Sequence, residues 1–216
     1  MDYSQDVIRK NYIFFIAFSL YVFIGLAATE FYGRDELHLI FNKYFSLFFD
    51  EFFKYFSRIG PIIFIVITLY LILKKETYKA LFILLSAYGF NFIIGTFVKR
   101  YFFIHVHRPT FYFDQKGIDL HLVEGVFSQI PYTFPSGHSA DAFLLMLFIC
   151  IVSKTKWIQV ITAFLAILMA LSRVYLSKHF VIDTIGGAFL GVFSLMLMFY
   201  IFQNKNSVLL NKKILK

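Results

Sequence analysis

Six long apolar runs dominate this chain, and runs of that length leave a backbone few choices. A bilayer core holds no water for N–H and C=O groups, so a spanning segment of about 20 apolar residues closes its own hydrogen bonds as a helix. The runs lie at 12–29, 59–73, 80–98, 139–152, 157–176 and 182–202. The second and fourth are short and borrow neighbouring residues at their ends. The expected fold is all-α: a polytopic membrane protein with six transmembrane helices in one bundle. Composition points the same way. Apolar residues make up 59% and charged residues 16%, against roughly 45–50% and about 25% in a soluble domain. The 31 Phe and 14 Tyr suit lipid-facing and interfacial positions. With no tandem repeat or low-complexity linker, residues 1–216 read as a single membrane-embedded domain.

The first run follows Arg9 and Lys10. It is too long for a signal-peptide core and no convincing cleavage site follows, so it is expected to remain as the first span. The lone cysteine, Cys150, lies in an apolar run and reads as a small buried residue, with no disulfide or cysteine zinc site to join. Between spans one and two, residues 33–60 carry apolar side chains at helical spacing, among them Leu37, Phe41, Phe45, Phe48, Phe52 and Phe56. An interfacial amphipathic helix between spans one and two fits this pattern, and so does a helix packed on the bundle. In the last span, Gly187 and Gly191 have the spacing that permits close helix approach, or that merely relieves local crowding.

Six spans return both termini to one side. That side carries Arg9, Lys10, Lys74, Lys75, Lys79, Lys154, Lys156, Lys205, Lys212, Lys213 and Lys216, with Asp2, Asp6 and Glu76 as its acids. The positive-inside rule puts both termini in the cytoplasm and the long polar connection 99–134 outside. The net charge of +8 would suit nucleic acid in a soluble protein. In a chain this apolar it suits anionic lipid or a phosphate-bearing substrate, and no nucleic-acid partner is expected.

Ionisable groups at membrane depth are costly and usually functional. Here they gather at one side in three clusters: Lys99, Arg100 and Arg108-Pro109; Pro135-Ser136-Gly137-His138; and Ser172-Arg173, His179 and Asp183. His179 and Asp183 are four apart, one helical turn, so the carboxylate is expected to reach the imidazole, fix its tautomer and leave the other nitrogen free to attack. Arg173 is expected to hold phosphate oxygens bidentately. Ser136 is a good N-cap for the fourth span, and Gly137 lets an anion approach the amides at that helix start. His138 stands where it can protonate a leaving oxygen. Lys99 or Arg100, with Arg108, would neutralise charge on the transferring phosphoryl group. His105 and His107 have metal-like spacing but no matching cluster, and read as loop residues shaping the pocket.

These residues resemble the type 2 phosphatidic acid phosphatase superfamily, the lipid phosphate phosphatases, in its bacterial membrane-bound branch. That family carries Lys, six residues, Arg-Pro; then Pro-Ser-Gly-His; then Ser-Arg, five residues, His, three residues, Asp. The second motif is intact at Pro135–His138, and the third at Ser172-Arg173, His179 and Asp183. The first departs: strict spacing from Arg108 falls on Tyr101, while Lys99 lies two residues earlier. A looser helix end would let Lys99 or Arg100 take the role, with Lys99 preferred. The resemblance implies a metal-independent lipid phosphatase with no cofactor, acting on a phosphate monoester or diphosphate. His179 would form a phosphohistidine, Asp183 would orient it, His138 would protonate the leaving group, and Lys99, Arg108, Ser136, Gly137 and Arg173 would bind phosphate.

Expected partners are a phosphorylated lipid substrate and membrane lipids, with the oligomeric state open. The expected location is a bacterial inner membrane, the site facing the periplasm or exterior. An outward site favours undecaprenyl diphosphate. Lipid A, phosphatidylglycerophosphate and phosphatidate are the alternatives. From another class, a transporter or channel with a polar path would suit an internal repeat, and none is clear. A vanadate-dependent haloperoxidase shares the motifs, but those enzymes resemble soluble proteins.

Overall fold

The computed structural model describes residues 3–75, 77–126, 132–202 and 213–214. Helices account for most of the described backbone. A short α1 (Tyr3–Lys10) leads into α2 (Tyr12–Tyr32), followed by α3 (Arg34–Lys43), α4 (Leu47–Lys75) and α5 (Tyr78–Phe97). A π-helical turn, Val98–Phe102, extends α5. A one-and-a-half-turn α6 (Pro109–Asp114) begins on a proline, which suits the first helical position because its missing N–H has no partner there. Then come α7 (Gly137–Ser153), α8 (Lys156–Tyr175) and α9 (Val181–Phe202).

Five helices, α2, α4, α5 with its π turn, α8 and α9, are long and apolar enough to cross a membrane; α7 is a shorter apolar helix. Together they are the six expected spans. Their outward faces carry large apolar side chains such as Phe23, Val66, Phe92 and Trp157 in full exposure. A water-soluble helix would turn these inward; a lipid-facing one does not need to.

The shortness of α7 follows from its place. From Ala142 to Cys150 every residue is buried, so α7 is the central post and is apolar on all sides. The other spans pack around it, with α8, α9, α4 and α5 against it and α2 on α8 and α9, reaching α7 through Phe14, Phe18 and Tyr21 on Phe143. Glycine makes the tightest of these contacts possible. A Cβ on Gly187 would stand 2.2 Å from the Ser136 carbonyl oxygen, and one on Gly191 would stand 2.1 Å from that of Ala140. The glycine pair is therefore a close-approach seam between α9 and α7.

The segment 33–60 departs from a single interfacial helix. It breaks after α3, and its second half is about the first four turns of α4. Pro61 sits inside α4 rather than ending it. Its ring removes the helical donor for the Ser57 carbonyl, but apolar packing on both sides keeps the helix running. At the far end of the bundle, Gln159 accepts from the Ile13 amide and donates to the Lys10 carbonyl, tying the starts of α2 and α8 together. Cys150 is buried there and donates to Asn11 Oδ1. Lys205, Lys212 and Lys216, which enter the charge argument, lie outside the described residues.

Candidate active site

The four helix ends that carry the motifs meet at one end of the bundle: the end of α5, the start of α7, the end of α8 and the start of α9. His179 lies in the tight turn between α8 and α9. Both the Lys178 and His179 amides donate to the Arg173 carbonyl, at 3.0 and 3.1 Å, and Ser177 takes a left-handed φ of 52° to make the turn. From outside, α3 supports this turn. His38 and Asn42 both hydrogen-bond the Ser177 hydroxyl at 3.2 Å, and the His38 ring stacks on Phe113. Burial pushes the His38 imidazole down to about 4, so α3 contributes a neutral ring.

His179 and Asp183 come together, but through an intermediary. Their nearest atoms, Nδ1 and Oδ2, are 3.7 Å apart, too far for a good hydrogen bond. Thr133 stands between them. Its hydroxyl donates to Asp183 Oδ2 at 2.5 Å and lies 3.0 Å from His179 Nδ1. The Phe180 amide also donates to Asp183 Oδ2, at 2.8 Å. The hydroxyl has one hydrogen, and the carboxylate takes it, so its oxygen accepts from Nδ1–H. The tautomer is thereby fixed with the lone pair on Nε2. Sequence spacing placed the carboxylate directly on the ring; the buried threonine was missed. Its one signal was a hydroxyl two residues before Pro135.

Cations surround the ring. Burial comes first, then the charges of Arg108, Arg173 and Lys99, in holding His179 well below the usual 6.5. The ring is neutral and able to attack. Arg173 is buried and donates from one terminal nitrogen to Ser57 Oγ at 2.9 Å, while its Nε is buried with no partner. Arg108 reaches the carbonyls of Tyr132 (3.2 Å) and Lys178 (3.5 Å), bringing the loop onto the turn. Lys178, also missed from the sequence, donates to the Val126 carbonyl at 2.9 Å. Burial, then the charges of Arg173 and Arg108, draw its ammonium down to about 8.

The first-motif departure has a structural basis. The π turn Val98–Phe102 loosens the end of α5 where the lysine is needed. Lys99 lines a cleft of ≈ 190 Å³ with Ser136 and Gly137, whereas Arg100 is exposed and Tyr101 is 73% exposed. Ser136 holds the N-cap position of α7 without a side-chain cap; its hydroxyl accepts from Ser139 instead. The first amides of α7 are left for a ligand. A Cβ on Gly137 would meet nothing within 4 Å, so the approach to them is open. The Ser136 amide donates to the Asp183 carbonyl at 2.9 Å, joining the second motif to the third. His105 and His107 join no cluster of three metal-ligating side chains among the described residues, and His107 pairs with Tyr132 through its backbone.

The PAP2 superfamily model matches residues 80–207, which contain every motif residue of the site. The chain belongs to the PAP2 superfamily. Among curated proteins it is similar to phosphatidylglycerophosphatase B of Bacillus subtilis, 39% identical over 70 residues covering 28% of this chain and 34% of that protein. It is also similar to a lipid A 4'-phosphatase of Bacteroides thetaiotaomicron, 30% identical over 70 residues covering 32% and 31%. The matched stretch thus spans about a third of the length of either relative. The fold resembles the crystal structure of a transmembrane PAP2-type phosphatidylglycerolphosphate phosphatase from Bacillus subtilis, with a TM-score of 0.63 at 20% identity over 89% of this chain and 98% of that one. The PAP2 fold accounts for the arrangement above: a multi-pass bundle whose helix ends converge on one histidine.

Proposed function

We propose that this PAP2 protein is a metal-independent lipid phosphatase working through a phosphohistidine. The observation that carries the reading is the buried His179, its Nδ1–H engaged by Thr133 and its ring held neutral by burial and by the charges of Arg108, Arg173 and Lys99. In this mechanism Nε2 attacks phosphorus and the bond to the leaving oxygen breaks. His138, its proton held by the negative charge of the bound phosphate, gives that oxygen its proton. His138 then takes a proton from water, which attacks the phosphohistidine and frees phosphate. Lys99, Arg108, Arg173 and the amides after Ser136 hold the phosphoryl oxygens throughout.

A lipid phosphate is the fitting substrate class because the site lies at the end of a membrane bundle, where headgroups sit. Undecaprenyl diphosphate follows from an outward-facing site. Phosphatidylglycerophosphate and lipid A phosphate have the added support of the two curated relatives' names. We place the protein in a bacterial inner membrane, the site outward and both termini cytoplasmic.

The test is phosphate release by the purified full chain in detergent from each of these three lipids, with chelator present. The expected result is release from at least one, reduced at least about a thousandfold in His179→Ala, as for loss of a nucleophile. A fully active His179→Ala would remove the nucleophile assignment.

A further inference from the structure

One half-buried acid in the cleft has no part in the mechanism above. Asp141 lies one turn along α7 from His138, at a depth where a carboxylate is normally functional. Two α5 side chains hold it: Asn91 Nδ2 donates to Asp141 Oδ1 at 2.9 Å, and the Tyr88 hydroxyl hydrogen-bonds the same carboxylate. Asp141 belongs to two adjoining spaces. With Asn91, Lys99, Ser136 and Gly137 it lines the cleft of ≈ 190 Å³; with Tyr88 and His138 it lines a hollow of ≈ 50 Å³. Asn91 is 4% exposed, and its Oδ1 is buried with no partner. The cluster thus has an orphaned acceptor and a carboxylate with lone pairs to spare.

Resting on the phosphatase reading, we infer that Asp141 and Asn91 form an acceptor subsite for a hydroxyl group on the leaving alcohol. The sign of the charge decides which chemistry fits. Transferring phosphate sits among Lys99, Arg108 and Arg173. The leaving group departs on the His138 side, where Asp141 is negative. A hydroxyl on a glycerol or sugar carbon donates its one hydrogen to Asp141 or to Asn91 Oδ1. A second phosphate there, the leaving group of a diphosphate, meets like charge at Asp141, and Lys99, which lines the same cleft, is already engaged by the transferring phosphate. The subsite therefore selects phosphomonoesters of polyol or sugar lipids over lipid diphosphates.

The test compares three substrates with the full chain in detergent: phosphatidylglycerophosphate, the same lipid with the headgroup hydroxyl replaced by hydrogen, and undecaprenyl diphosphate. Asp141→Ala should lower kcat/KM on the hydroxylated lipid about tenfold or more, the scale of a charged hydrogen bond, and leave the deoxy lipid within about twofold. Asp141→Asn, nearly isosteric, should raise the rate on the diphosphate relative to the hydroxylated lipid. Equal losses on the hydroxylated and deoxy lipids would make Asp141 structural and overturn the subsite alone, as would an unchanged preference between monoester and diphosphate in Asp141→Asn. Failure of the wild type to release phosphate from any of them would overturn the phosphatase reading, and the subsite with it.

Discussion

Thr133 has one hydrogen to give and two partners to serve. It gives that hydrogen to Asp183 and receives one from His179, so replacing it removes the link without removing either end. Thr133→Val keeps the shape and deletes the hydroxyl. It is expected to lower kcat by about 10–100-fold, as loss of an orienting partner behind a reactive histidine does, with KM within about twofold. Thr133→Ser should restore most of the rate. A loss in Thr133→Val carried by KM, or no rescue by serine, would make the residue a packing element only. The motif histidine and aspartate were legible because they lie four apart on a helix start. The threonine was not, because it meets them across 46 and 50 residues of chain, and no periodicity reports such a contact. Lys178 was overlooked for a different reason: a lysine among motif residues looks like a surface charge until the turn buries it.

Among the elements, α7 and α9 carry the most consequence, because their spacing sets the distance between the two motif histidines. Two glycines hold that spacing. Gly187→Ala would drive a methyl group into the Ser136 carbonyl, an overpacking that costs about 1–3 kcal/mol or more. Both the unfolding midpoint and phosphate release should fall. Gly89→Ala is the matched control: on α5 its Cβ meets nothing within 4 Å, and neither quantity should drop. Equal behaviour of the two variants would deny the seam its role. The six spans could be read from apolar length alone. The true extent of α4 could not, because Asp50, Glu51, Lys54 and Arg58 take its first half out of the apolar run. The proline is carried inside the helix because neighbours on both sides supply packing that sequence does not display.

For the whole molecule, the open question of physical interest is which face of the membrane the site meets. Charge supports an outward site, and this can be read with cysteines. In a Cys150→Ser background, Gln115→Cys lies beside the site-end loop and Lys156→Cys at the opposite end; both positions are exposed. A membrane-impermeant thiol reagent applied to intact cells is expected to label Gln115→Cys and to label Lys156→Cys only after permeabilisation. The reverse pattern would invert the orientation. The outer cover is well tied down: Asn42 exchanges two hydrogen bonds with His121, at 2.8 and 2.9 Å, and His121 bonds Asp50, which also accepts from Tyr175. This frame joins the loop to α3, α4 and α8, so the site end is one connected piece.

The bond from the Ser136 amide to the Asp183 carbonyl carries a consequence for how such a chain can diversify. It is made by main chain alone, so no change of side chain at either position short of a proline at 136 deletes it. The reacting centre is in that sense insulated: its reference distance is written into backbone that substitution does not erase. The wall contributed by α5, where Tyr88 and Asn91 stand, has no such protection and is free to drift. Under the proposed function, a lineage could therefore exchange one lipid headgroup for another by altering that wall, while the proposed phosphate-breaking machinery is inherited intact.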